Sequence, residues 1–150
     1  MSLELRVMEE LKNAMRAKDE AGLRTLRAIK AAIIIEKTAE GATGEITEAM
    51  ELKMLQKLAK QRKDSLEIFE KQNREDLAAK EREELAIIEK FLPQQMTADE
   101  LKAAVSDIIA QVGATSPADM GKVMGVASKQ LAGKTDGKAI SEMVKTLLAQ

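Results

Sequence analysis

The chain contains no cysteine and no histidine among its 150 residues. The first absence excludes disulfides, thiolate zinc sites and cysteine nucleophiles. The second removes the side chain that titrates near neutral pH, which is also the commonest metal ligand. Tryptophan and tyrosine are missing too, and Phe69 and Phe91 are the only aromatic residues. Such a surface offers little on which single-stranded bases could stack. An interior without rings must be filled by Leu, Ile, Met and Ala, which are helix formers rather than strand formers. Neither sign of charge dominates: 24 Lys and Arg against 25 Asp and Glu leave a formal net charge of -1. Overall charge therefore draws the chain toward neither nucleic acid nor an anionic membrane, and any such attraction must come from local clusters. No window approaches the roughly 20 apolar residues that span a bilayer. The first residues, Met1 to Lys12, lack the basic start and apolar run of a signal peptide, and Glu4, Glu9 and Glu10 argue against a mitochondrial transit segment. The expectation is a cytoplasmic protein without membrane attachment.

Proline and glycine are scarce and unevenly placed. Residues 1–92 hold no proline and three glycines, whereas the other five glycines all follow position 110. This shift predicts an N-terminal helical domain over 1–93 and a smaller C-terminal one over 94–150. Within the first, apolar residues at helical spacing predict one helix from Leu3 to Lys18 and a second from Asp19 to Lys37. Gly41 and Gly44 mark a loop. Thr47 is a candidate N-cap for a long third helix with Leu55, Leu58, Leu66 and Phe69 on one stripe and Arg62 inserted in it. Asn73 is read as the cap of a fourth helix carrying Leu77, Leu85, Ile88 and Leu92 with Glu81 among them. The third and fourth helices form an antiparallel hairpin on this reading. After Pro93, the capping box Thr97-Ala98-Asp99-Glu100 starts a fifth helix and Gly113 suits its end. Ser116-Pro117 starts a sixth that runs to Gly133, and Asp136 caps the last. No segment alternates as a strand does. The fold class is all-α: a long helical hairpin in the first domain, three helices in the second.

Glycines and lysines converge in the second domain, at Asp119-Met-Gly-Lys-Val-Met-Gly125 and Ala132-Gly-Lys-Thr-Asp-Gly-Lys138. From Ser116 onward five lysines (122, 129, 134, 138 and 145) face Asp119, Asp136 and Glu142, a local excess of two positive charges. Small residues let a ligand approach the backbone, lysines bring cations, and the helix starts near Pro117 and Gly137 add free N–H groups; these are components of an anion site. A packing explanation competes: Gly121 and Gly125 are four apart and could admit a neighbouring helix, while Gly133 and Gly137 could be a C-cap and a turn. The order of Gly and Lys is not that of a phosphate-binding loop after a strand. Two further basic clusters stand at Lys12, Arg16, Lys18, Arg24, Arg27 and Lys30, and at Lys53, Lys57, Lys60, Arg62 and Lys63. For both, a solvated helix surface is the alternative to an anionic partner. No serine has a histidine to activate it and the carboxylates have no catalytic spacing, so the sequence offers no catalytic residue, no metal ligand set and no cofactor motif.

The junction Phe91-Leu-Pro-Gln-Gln-Met96 together with Met120-Gly-Lys-Val-Met-Gly125 and Asp136-Gly-Lys138 resembles the GatB/YqeY family, and the resemblance extends over essentially the whole chain. It implies an all-helical fold related to the tail of the B subunit of glutamine-dependent tRNA amidotransferase. In that enzyme the tail resembles a tRNA-gripping appendage and amidation occurs in other domains. The residues that the resemblance points to for RNA contact are Gly121, Lys122, Gly125, Gly133, Lys134, Gly137 and Lys138, with Lys129 between them. Many relatives carry a proline and more basic residues where this chain has Ser128-Lys-Gln-Leu-Ala132. The function implied is an accessory tRNA-binding module that is not catalytic by itself. Two alternatives stand beside it: docking of a protein partner in aminoacyl-tRNA metabolism, and carbon–nitrogen ligase activity with glutamine as amido donor within a larger complex.

Overall fold

The computed structural model describes all 150 residues. They form seven helices and no strand: α1 (Leu3–Ala17), α2 (Glu20–Thr38), α3 (Glu48–Lys71), α4 (Glu75–Glu89), α5 (Ala98–Val112), α6 (Met120–Gln130) and α7 (Gly137–Leu148). The chain is all-α, as its composition dictates.

Local chemistry sets most of the boundaries. The Ser2 hydroxyl accepts from Leu5 N–H at 3.3 Å, and α1 ends at Lys18, in the left-handed region with φ 54°. The Asp19 carboxylate then accepts from Gly22 N–H at 3.0 Å and starts α2. A Cβ at Gly22 would run into that carboxylate, so a larger residue there would have to displace the cap. Thr47 caps α3 by accepting from Met50 N–H at 3.2 Å. Asn73 does not cap α4. It takes the left-handed turn itself, with φ 55°, a conformation its short polar side chain tolerates. The N-cap falls to Arg74, which has no side-chain cap bond and instead pairs with Asp76 at 2.9 Å.

Two compact units result, Met1–Leu92 and Pro93–Gln150. In the first, α1 to α4 enclose Val7, Ile29, Ile33 and Ile88, all at most 1% exposed, with Met54, Leu55 and Ala59 of α3. The polar residues embedded in the α3 and α4 stripes meet at the edge of this core. Arg62 lies 3.5 Å from Glu84, and Arg24 of α2 reaches the same carboxylate at 2.9 Å. Glu81 faces this cluster, and burial followed by repulsion from Glu84 pushes its carboxyl above the ordinary glutamate range, against the pull of Arg62 and Arg24.

In the second unit, α5, α6 and α7 enclose Val105, Ile108, Val123, Ala127, Ile140 and Val144. Thr97 caps α5, accepting from Glu100 N–H at 3.2 Å, and Gly113 closes it in the left-handed region with φ 69°. Pro117–Asp119 forms a 3-10 turn leading directly into α6. That helix stops at Gln130, three residues before the expected Gly133, because the chain turns back on itself. Lys134 N–H donates to Leu131 C=O at 3.1 Å, and Gly133 occupies φ 78°. Asp136 then caps α7, accepting from Ala139 N–H at 2.7 Å.

Candidate nucleic-acid interface

Helical spacing assigns four of the candidate residues to one strip. Gly121, Lys122, Gly125 and Lys129 are separated by three or four residues or are adjacent, and all are exposed on α6, together with Ser128. The opposite face of the same helix carries the buried Val123 and Ala127. The packing explanation for the two glycines is thereby decided. A Cβ built on Gly121 or Gly125 meets no atom within 4 Å, so neither makes room for a neighbouring helix. Each leaves an indentation in an outward-facing surface, beside the exposed Lys122 and Lys129.

Gly133 and Lys134 divide their tasks. Gly133 is buried, so it offers no contact surface. Its positive φ shapes the turn that presents the exposed Lys134. This turn is also held from outside. Gln95 donates through Nε2 to Gly133 C=O at 2.8 Å and to Pro93 C=O at 2.8 Å, while Met96 N–H donates to Lys134 C=O at 2.9 Å. The Pro93–Met96 junction and the glycine–lysine turn, far apart in sequence, are thus one structural latch. Gln95 was not singled out in the sequence. Its signal was its place in the junction motif, whose partner only the fold reveals.

Gly137 and Lys138 open α7 and are exposed, and a Cβ on Gly137 would also meet open space. The helix starts themselves are less available to an external anion than expected. At α7 the Asp136 carboxylate already sits on the first turn. Ahead of α6, Asp119 accepts from Thr115 N–H at 2.9 Å and from Ser116 N–H at 3.3 Å. Those two bonds, aided by Lys122, hold the Asp119 carboxyl below its ordinary range. Charge of the wrong sign therefore occupies both helix ends, and attraction for an anion rests on the lysines alone.

Each of the other basic clusters loses members to ion pairs. Arg24 is committed to Glu83 and Glu84, Arg62 to Glu84, and Lys60 lies 3.6 Å from Asp64. The N-terminal unit also holds a half-open cavity of about 730 Å³, where Arg6 lies over the Phe91 ring at 5.2 Å and Glu9, Glu10, Asp19 and Lys90 supply both signs of charge. No group of His, Cys, Asp or Glu side chains is arranged to hold a metal ion.

Comparison with known proteins bears on family and compartment. The chain is 31% identical over 144 residues to "Altered inheritance of mitochondria protein 41, mitochondrial" of Lachancea thermotolerans, covering 95% of this chain and 76% of that one. The protein of the same name from Kluyveromyces lactis is 31% identical over 139 residues, 91% of this chain and 71% of its own length. That from Saccharomyces cerevisiae is 39% identical over 93 residues, with 61% of this chain and 49% of the relative covered. These names overturn the cytoplasmic expectation, since the relatives are mitochondrial by name. The physical reason is local. Residues 3–17 are a folded helix with Leu3 and Val7 in the core and Glu4 paired to Lys37, so their acidic residues belong to a folded element and do not decide the compartment. No helix is long and apolar enough to cross a membrane. A family model described as "Yqey-like protein" matches residues 4–148, all but the extreme ends of the sequence, and the chain belongs to that YqeY-like family.

Proposed function

We propose that the C-terminal unit is an accessory tRNA-binding module that grips phosphates through the outward face of α6 and the Lys134 turn. The observation that carries this reading is the pair Gly121 and Gly125. A glycine inside a helix costs about 1 kcal/mol relative to alanine, and here no packing repays it. Indentations flanked by Lys122 and Lys129 suit the close approach of a sugar–phosphate backbone, where charge neutralisation supplies affinity. The scarcity of aromatic residues fits recognition of a folded RNA by shape and phosphate rather than a single strand read by stacking. Kinship of the YqeY-like family with the tail of the tRNA amidotransferase B subunit supports the same assignment. Amide transfer itself is assigned to a partner.

The test is tRNA binding by the purified chain across a salt series, with a perfect RNA duplex as control. Tight, tRNA-preferring binding that weakens steeply with salt is expected. Lys122→Glu combined with Lys134→Glu should weaken it at least about tenfold and flatten the salt dependence. Unchanged affinity in that variant would reject the surface, and equal weak binding to both RNAs would reject the specificity. Incubation with glutamine and misacylated tRNA should yield no amidated product; turnover by the chain alone would overturn the accessory role.

A further inference from the structure

Four cations of the N-terminal unit, Lys12, Arg16, Arg27 and Lys30, are exposed and form no ion pair. Their surroundings are apolar. Leu5, Met8 and Met15 of α1 are 57%, 42% and 55% exposed, and Ile34 of α2 is 48% exposed. Leu5, Met8, Lys12 and Met15 are spaced by three and four residues and form one stripe along α1; Lys30, Ile34 and Lys37 do the same on α2. The Glu4–Lys37 ion pair joins the start of α1 to the end of α2, so the helices are antiparallel. Met8 lies one turn beyond Glu4 and Ile34 one turn before Lys37. The two stripes therefore border the same seam, with Arg27, Lys30, Lys12 and Arg16 toward its far end. The unpaired carboxylates of α1, Glu9 and Glu10, face the cavity on the other flank of the helix.

We propose that this seam docks an acidic amphipathic helix of a protein partner. Leu5 and Met15 are ten residue steps apart, about 15 Å along the helix, which matches the i, i+3, i+4, i+7 anchors of a helix laid in a groove. Methionines adapt their shape to such a ligand, and the unpaired cations select carboxylates along its margins. Phosphates of an RNA would gain nothing from the leucine, methionine and isoleucine side chains. A bilayer would be met by interfacial aromatic rings, yet Trp and Tyr are absent and both phenylalanines are half-buried elsewhere. The seam lies in a different unit from the proposed tRNA surface, so either assignment can fail alone.

The nine methionines make the test direct. The full chain, labelled with 13C at the methionine methyls, is titrated with a synthetic amphipathic helix of leucine and glutamate. Saturable shifts at Met8 and Met15, with Met120 and Met124 unmoved, are the expected result. The same helix with lysine in place of glutamate should leave all four unchanged. Lys12→Glu with Lys30→Glu should weaken binding at least about tenfold, while the buried Met54 methyl keeps its position and reports an intact fold. Silent Met8 and Met15 methyls, or shifts indifferent to either charge reversal, overturn the proposal. So do larger shifts with anionic vesicles or duplex RNA, and shifts produced by protein concentration alone, which would assign the seam to a lipid surface, to RNA or to a second copy of the chain.

Discussion

Gly121 and Gly125 stand inside a helix with nothing packed on them, so their replacement separates stability from function. Gly121→Ala and Gly125→Ala should each stabilise the C-terminal unit by about 1 kcal/mol, raising its Tm by roughly 4–8 °C for a domain of this size, while weakening tRNA binding by filling the indentations. A melt and a binding isotherm on the same variant decide it; a rise in Tm with unchanged affinity would remove the functional argument for these glycines. Two carboxylates act in opposite senses with pH. Asp119 has its folded-state pKa depressed, so its contribution is present above the ordinary carboxylate range and is lost as pH falls through the folded value. Asp119→Asn should lower Tm at neutral pH and leave it unchanged in strong acid. Glu81 is raised, so what it contributes is present below the ordinary range and is lost as pH rises through its folded value. Glu81→Gln should therefore raise Tm at neutral pH, and the gain should vanish on acidification; a gain constant across a pH series of melts would refute the cause given.

At the scale of elements, the α2–α3–α4 edge depends on one shared carboxylate. Glu84 serves both Arg24 and Arg62, and Arg62 Nε, though buried, has no hydrogen-bond partner of good geometry. Removing Glu84 alone strands a half-buried guanidinium, whereas replacing both partners with apolar groups does not. Glu84→Ala should cost about 1–3 kcal/mol, and Arg62→Leu with Glu84→Leu distinctly less. Denaturant titration of the two variants compares them directly, and equal losses would mean that the pair supplies net stability. The helix boundaries show how much local sequence decides. Ser2, Thr47, Thr97 and Asp136 cap as the residue types dictate. Asn73 fails to cap because the same side chain that suits an N-cap also tolerates the left-handed turn, and sequence alone does not say which use prevails.

For the whole molecule, the consequence of two separate cores is independent folding. The segment from Pro93 to Gln150 contains its own apolar interior and both halves of the Gln95 latch. Expressed alone, it should be helical by circular dichroism and melt cooperatively. A broad, non-cooperative loss of signal would show that it needs the first unit.

Composition and periodicity were enough to determine the all-α class and the succession of seven helices. Helix propensity and apolar spacing are local properties, and capping residues announce themselves within four positions. The sequence also placed lysines and glycines together in the chain. Only the tertiary structure decided what each does. Burial removed Gly133 from the contact surface, and open space above Gly121 and Gly125 removed their packing role. The carboxylates of Asp119 and Asp136 proved to occupy the helix ends, and the basic cluster of α1 and α2 lost Arg24 to Glu84. These outcomes depend on which side chains meet across elements, and such meetings are set by packing between distant residues rather than by spacing within one helix.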